Sequence, residues 1–433
     1  MTEDGPRPCS ERSATSSGTG APGGRPGPAG APRWVVRVVV VGLVLAAFNL
    51  RPAISGLGPL LKEVRDGLGM SGAVAGLLTS VPALCFAVFG SLAPRLARRR
   101  GPAPVVLAGM IAITAGLALR PLANGTAGFL AASALALAGI AVSNVLMPVV
   151  VKRWFPDRVG SMTGLYSMGL ALGTACAAAV TVPMTAALGG SWRVGLGAWA
   201  LLGVLAIVPW AVVLKDPGSR RAEPRTDQGT GTAAATEPDT RIRIGTSRTA
   251  WALGGFFGLQ ASAAYIVMGW LPQIFRDAGV SASSAGLMLA VTMGMGVPLA
   301  FVLPRLAIRM RHQGPLVVAL GLCGLTGYAG LWFAPAGGAW LWALLLGIAN
   351  CAFPVALTMI SLRSRSSAGV AKLSAFAQST GYMISIPGPL LVGALHDASG
   401  GWHVPLLLMT ALLLGQTTMG VLAGRDRVIE DGR

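Results

Sequence analysis

The sequence predicts an all-α membrane protein of twelve transmembrane helices in two parallel six-helix bundles, and three observations predict it. The 433 residues are 53% hydrophobic and only 12% charged, with a mean hydropathy of +0.65, whereas a soluble domain carries roughly 25% charged residues. Apolar stretches of about 20 residues, enough to cross a hydrocarbon core of roughly 30 Å, recur from Val35 to Ala423. The second half repeats the first. Gly76 and Gly286, Pro94 and Pro304, Arg95 and Arg305, and Trp192 and Trp402 are each 210 positions apart, AVAGLL answers SSAGLM, and APRLARRRGP answers LPRLAIRMRHQGP. Two halves in one orientation are related by an axis along the membrane normal, which puts a solute site between them near mid-membrane.

Residues 1–34 are rich in Pro, Gly and Ser and cannot bury enough apolar surface to offset their ordering entropy, so a disordered cytoplasmic tail is expected. No apolar run ending in a small-residue cleavage site precedes the first span, so no cleaved signal peptide is expected. The first bundle, 35–214, reads as spans near 35–58, 72–93, 103–123, 127–150, 159–187 and 195–214. Residues 215–249 contain KDPGSRRAEPRTDQGTGTAAATEPDT, without apolar period, and read as a flexible cytoplasmic linker. The second bundle, 250–424, reads as spans near 250–272, 283–303, 315–334, 338–361, 373–395 and 403–423, and 425–433 is a cytoplasmic tail. With the N-terminus inside, most loop arginines and lysines fall on the cytoplasmic side and only Lys62, Arg65, Arg120, Arg193 and Arg276 fall outside. That asymmetry predicts a multi-pass protein of the cell membrane with both termini cytoplasmic.

The net charge of +18 follows the same loops, so it marks orientation and contact with membrane lipid, not a nucleic-acid partner. Cys9, Cys85, Cys176, Cys323 and Cys351 have no paired spacing, and His312, His396 and His403 lie at loops or helix ends. Neither disulfide framework, metal site nor cofactor follows. The spans hold mainly Ala, Leu, Val and Gly and offer no paired carboxylates or Ser/His/Asp set, which excludes an enzyme.

Arg51 in the first span is the outstanding candidate. A guanidinium in an apolar span costs at least about 2.5 kcal/mol on insertion scales. None of the sixteen Asp and Glu residues lies well inside a span, so the remaining partners are a solute anion, backbone carbonyls or cavity water. Arg suits planar anions through its forked donors. The bland alternatives are snorkelling to the outer interface, or a tie to the Ala47 or Phe48 carbonyl that Pro52 leaves without its helical donor. At helical spacing Phe48, Arg51 and Ser55 share a face, with Asn49 turned away. Arg120, before Pro121 at the end of the third span, either steers anions or snorkels. Asn144 and Asn350 precede Pro148 and Pro354, and either line the cavity or bond between helices.

The seventh span offers Gln260, Tyr265 and Trp270, suited to orient and cover a small polar solute, with Trp270 and Gln273 equally suited to the interface. Asn49 and Gln260 are counterparts if the repeat is shifted by one residue. In the eleventh span Gln378 and Tyr382 sit one turn apart, and Met288, Met293 and Met295 read as packing. Arg95, Asp157, Arg158 and Arg305 fall in cytoplasmic loops as inner-gate or helix-end residues. His396-Asp397 near an outer helix end is the one acid-base pair that proton coupling has to draw on, and no buried carboxylate relay is expected.

NLRPAISGLGPLL in the first span, LTSVPALCFAVFGSLAPRLARR in the second, KRWFPDRVGSMTGLYSMG after the fourth and GLQASAAYIVMGWLPQIFRDAGVSASSAGL in the seventh resemble the cyanate permease and 2-nitroimidazole transporter family of the major facilitator superfamily. The resemblance runs over about 400 residues. Two places depart from the superfamily pattern: Ala93-Pro94-Arg95 lacks the usual Asp before the arginines, and Gly164, Gly169 and Gly173 occur without the Gly-Pro signature of many drug antiporters. The resemblance implies a secondary transporter working by alternating access as a functional monomer. Its solute is then a small anion such as cyanate, or alternatively a neutral heterocycle such as 2-nitroimidazole. A membrane sensor that binds without translocating is the reading from another class.

Overall fold

The structure is a computed structural model and describes residues 33–215 and 244–429. Residues 1–32 of the expected N-terminal tail and most of the expected linker lie outside the described residues, within which every regular element is a helix and the first begins at Arg33. Eleven helical paths are long and apolar enough to cross a membrane: α1 (Trp34–Leu68), α2 (Gly72–Arg100), α3 (Pro102–Leu122), α4 (Thr126–Trp154), α5 (Pro156–Ala187), α6 (Trp192–Val213), α7 (Arg248–Asp277), α8 (Ala282–Arg309), α9 (Gly314–Phe333), α10 (Ala339–Leu362) and α12 (His403–Ala423). The remaining path, α11, consists of two helices, Ser367–Ser385 and Pro387–Ser399, joined through Ile386, whose backbone is itself helical (φ −62°, ψ −48°). Several paths exceed the expected spans because they run past the apolar core into the arginine-bearing turns, as α2 does to Arg100 and α8 to Arg309.

Within each half the helices pack in the same pattern. In the first, α1 lies on α5 and α6, and α3 on α4 and α6; in the second, α7 lies on α11 and α12, and α9 on α10 and α12. The halves meet through α2 against α11 and α5 against α8. Gly76 and Gly286, the first pair of the sequence repeat, sit at those two crossings. A Cβ on Gly76 would lie 2.7 Å from the Leu390 carbonyl oxygen, and one on Gly286 would lie 2.6 Å from that of Ala178. Without a hydrophobic drive between helices in lipid, such close backbone approach is how they associate.

Both crossings belong to one end of the molecule, the end away from the arginine-rich loops, and polar clamps reinforce it. Arg65 bonds Asp397 at 3.1 Å, and the Gly72 amide donates to the same carboxylate. Arg276 grips Glu63 with two bonds of 2.7 and 2.8 Å and adds the Pro59 carbonyl at 3.1 Å. Each clamp joins one half to the other. At the arginine-rich end the expected gate residues Arg95, Asp157, Arg158 and Arg305 are all exposed, and among the described residues none of them forms an ion pair. Among the described residues, then, no ion pair of theirs ties the two halves together in this conformation. Arg363 is anchored instead, its Nε on the Ala423 carbonyl at 2.9 Å and its Nη2 on Gly424 at 3.0 Å; burial lowers its pKa and Asp426 opposes that shift.

Candidate functional site

Between the halves lies a cavity of about 370 Å³, running from mid-depth toward the arginine-rich end. Its walls coincide with interruptions in the helices. The first helix stops at Asn49 and restarts at Pro52, leaving Arg51 in the gap with φ −115° and ψ −33°. The second opens into a π-helical turn over Phe86–Gly90, α8 breaks before Gly296, and α10 breaks at Cys351. Arg51, Phe86, Gly296 and Cys351 all line the cavity. Irregular backbone at membrane depth is tolerated where it borders a cavity, and broken helices mark transporter binding sites.

Five of the expected residues come together there: Arg51, Asn144, Tyr265, Asn350 and Tyr382. Arg51 has no carboxylate partner among the described residues, and its Nε is buried without a hydrogen bond. No bond to Ala47 or Phe48 is formed, and a cavity position replaces the snorkelling alternative. Tyr166 donates its hydroxyl to Asn144 Oδ1, which holds that amide in place on the wall. Tyr382 stacks on Phe86 across the two halves, with ring centroids 5.2 Å apart and 17° between planes, and meets Phe257 edge-on at 5.3 Å.

Six expected residues lie elsewhere. Phe48 packs its backbone against Gly173, and Ser55 is fully buried in the short helix Pro52–Ser55. The break at Leu50 and Arg51 rotates one piece of helix relative to the other, so the 3.6-residue face does not carry through. Asn49 turns to α3, where its Nδ2 meets the Met110 sulfur at 3.8 Å, and not to the cavity. Its counterpart Gln260 is 1% exposed and bonded to the Asn350 carbonyl (2.9 Å), Asn350 Oδ1 (3.0 Å) and Gln416 Nε2 (2.6 Å). Asn350 therefore faces the cavity and also bonds between helices. Gln378 donates to Ser374 at 2.7 Å, one turn closer to the open end. Trp270 is 0% exposed inside the sealed end, with the Arg65 guanidinium 5.9 Å over its ring and Trp402 beside it at 5.9 Å.

Other wall residues had no sequence signal of their own. Phe86, Thr174, Thr292 and Met293 line the cavity, but Thr174 and Thr292 spend their hydroxyls on backbone carbonyls at 2.7 and 2.9 Å. Met293, expected to be packing, is the methionine of its set on the wall. Phe86 was legible only through Pro82 and Pro94 flanking it in one span, since prolines disturb helices locally. Arg120 neither steers at a mouth nor snorkels. It is 1% exposed, with Nε on Ser133 Oγ and Nη1 on the Ala53 carbonyl, both at 2.9 Å.

Comparison with known proteins agrees with this architecture. Residues 43–384 match the Major Facilitator Superfamily. The chain is 34% identical over 396 residues to the uncharacterized transporter YycB of Bacillus subtilis (strain 168), covering 90% of this chain and 94% of that one. It is 33% identical over 393 residues to the 2-nitroimidazole transporter of Escherichia coli (strain K12), covering 90% and 96%. It is 32% identical over 382 residues to the cyanate transport protein CynX of the same organism, covering 86% and 94%. The nucleoside transporter NupG shares the fold at a TM-score of 0.70 and 12% identity, covering 89% of this chain and 99% of that one. The chain is a transporter, not an enzyme, and belongs to the Major Facilitator Superfamily, alongside the cyanate and 2-nitroimidazole transporters.

Proposed function

We propose that the protein carries a small anion, of which cyanate is the simplest example, through the central cavity by alternating access, with Arg51 as its principal ligand. The observation that carries this reading is a cavity-lining guanidinium without a carboxylate partner among the described residues. A bound anion neutralises that charge and lets the cavity close over it, so the solute lowers the free energy of the occluded state more than that of the open one. The first turns of the half-helices Gly296–Arg309 and Ala352–Leu362 begin beside it and add the positive ends of their dipoles. Asn144 and Tyr265 supply further donors.

The excess of basic residues in loops at the open end supports a cytoplasmic position for that end and for both termini, and with it an inward-open conformation in the cell membrane. Arg95, Asp157, Arg158 and Arg305 then approach one another when the inner end shuts. The two halves, 35–214 and 250–424, rock as the moving bodies of a functional monomer embedded in membrane lipid. The neutral-heterocycle reading keeps one specific support, the Phe86–Tyr382 stack, which offers a planar ring a ready surface.

Thermal unfolding of the purified protein and its Arg51→Gln variant, titrated with cyanate, nitrate and 2-nitroimidazole, tests the choice, because a native-state ligand stabilises by RT ln(1 + [L]/Kd). Anion stabilisation in the wild type alone supports the proposal. Equal stabilisation of both proteins by the heterocycle, with none by anions, replaces it.

A further inference from the structure

We infer that Arg120 holds the anion at a second station on the sealed side of the cavity, so that the solute passes from one guanidinium to the other. The inference rests on the anion reading above.

Arg120 is buried more deeply than Arg51, and its surroundings leave its charge just as uncompensated. Its hydrogen-bond acceptors are the neutral Ser133 hydroxyl and Ala53 carbonyl, its guanidinium lies 5.6 Å over the Phe129 ring, and its Nη2 is buried without a partner. No carboxylate pairs with it among the described residues. Guanidinium has five donors and this one uses two. A fixed strut needs no full charge at such a place, since a buried unpaired ion is costly to keep.

The space beside it points to a ligand. Arg120 lines a small enclosed pocket of about 20 Å³, enough for a water-sized group, together with Ala53, Thr79, Tyr265 and Met268. Tyr265 and Met268 also line the central cavity, so the two spaces share a wall. The pocket takes its lining from both halves: Ala53, Thr79 and Arg120 come from the first, Tyr265 and Met268 from the second. It therefore sits on the seam that must part when the sealed end opens. Thr79 is pressed against Gly269 across that seam, and Gly58 against the Met268 carbonyl. Parting of the seam widens the pocket into a vestibule with Arg120 exposed along it and Arg51 beyond the Tyr265 wall. In the present conformation it has room for no more than a water-sized group, so it takes the anion only as the seam parts.

The test reconstitutes wild type, Arg51→Gln, Arg120→Gln, Arg120→Lys and Arg193→Gln in liposomes and measures uptake of labelled cyanate with nitrate and chloride as competitors, alongside thermal stabilisation by nitrate in detergent. Arg193 is the control for a merely structural arginine, since it ties the Pro121 and Ala123 carbonyls at 2.7 Å away from both spaces. The expected result is a KM at least tenfold higher in Arg120→Gln, partial recovery in Arg120→Lys, and wild-type KM in Arg193→Gln whatever its melting temperature. A folded Arg120→Gln with KM within twofold of wild type overturns the inference. Should Arg120→Gln not fold, the decision falls to Arg120→Lys, which keeps the charge and loses the fork. An unchanged preference for planar nitrate over chloride in that variant overturns the inference, and a drop of threefold or more supports it. Loss of the anion response in Arg51→Gln but not in the Arg120 variants removes only this second station. If wild type neither transports cyanate nor responds to nitrate, the anion reading and this inference fall together.

Discussion

The two halves share one scaffold but furnish it with opposite chemistry. The first brings Arg51 and Arg120 into the interior with no carboxylate among the described residues to neutralise them, while the second brings Gln260, Asn350 and Gln416, whose amides are bonded to one another. Asn49 and Gln260 make the contrast at a single pair of related positions. Asn49 has only a sulfur for its amide and a bare Oδ1, whereas Gln260 satisfies both ends of its side chain. The lesson is a contrast between the halves: one carries charge that its own side chains leave unspent, and the other a neutral amide network that reaches the cavity only at Asn350.

The largest effect expected from breaking this contrast is in Arg51→Gln. Loss of a charge-assisted bond costs about 2 to 3 kcal/mol, or roughly 30- to 150-fold in anion affinity, read by nitrate titration of the melting temperature. An anion response within threefold of wild type in that variant would end the contrast as stated. Gln260→Ala tests the opposite half: it strands the Gln416 and Asn350 amides and is expected to cost about 1 to 3 kcal/mol of stability in thermal unfolding, with anion affinity moved less than threefold. A large change in affinity there would show that the amide network behind Asn350 takes part in holding the solute.

Tyr382→Ala removes the ring that stacks across the halves and is expected to weaken 2-nitroimidazole by about 1 kcal/mol, five- to tenfold, while anions change little. Competition between the heterocycle and nitrate in the same titration sharpens which surface each uses. The smallest effect is expected in Asp397→Asn. Its pairing with Arg65 is partly exposed, with side chains 18% and 34% accessible, so about 0.2 to 1 kcal/mol is lost from the sealed end. Distance measurements between spin labels across that end, one on each half, should report a modest rise in the open population and no change in Kd at the cavity.

Arg51 was legible because a charge in an apolar run is conspicuous one residue at a time. Its neighbours were not, because assigning Phe48 and Ser55 to its face assumed an unbroken helix, and the chain breaks between them. Arg120 was visible as a charge but misplaced, since the polar atoms that receive it, Ser133 and Ala53, come from two other helices. Arg65, Asp397, Arg276 and Glu63 read as surface loops until their partners, more than 200 positions away, met them across the halves. The gate reading of Arg95, Asp157, Arg158 and Arg305 depends on a state in which their end is closed, and this conformation is open there.

The sequence by itself determined that the chain lies in a membrane, crosses it along twelve paths, repeats after six and carries an arginine where lipid would reject one. Hydropathy, length and register are sums over neighbouring residues, so they are written locally. Which side chains share the cavity, which end is sealed and where the second arginine rests were decided only by the tertiary structure. Those outcomes turn on helix breaks and on backbone contacts such as Gly76 with Leu390 and Gly286 with Ala178, and such contacts exist only once both halves are folded against each other.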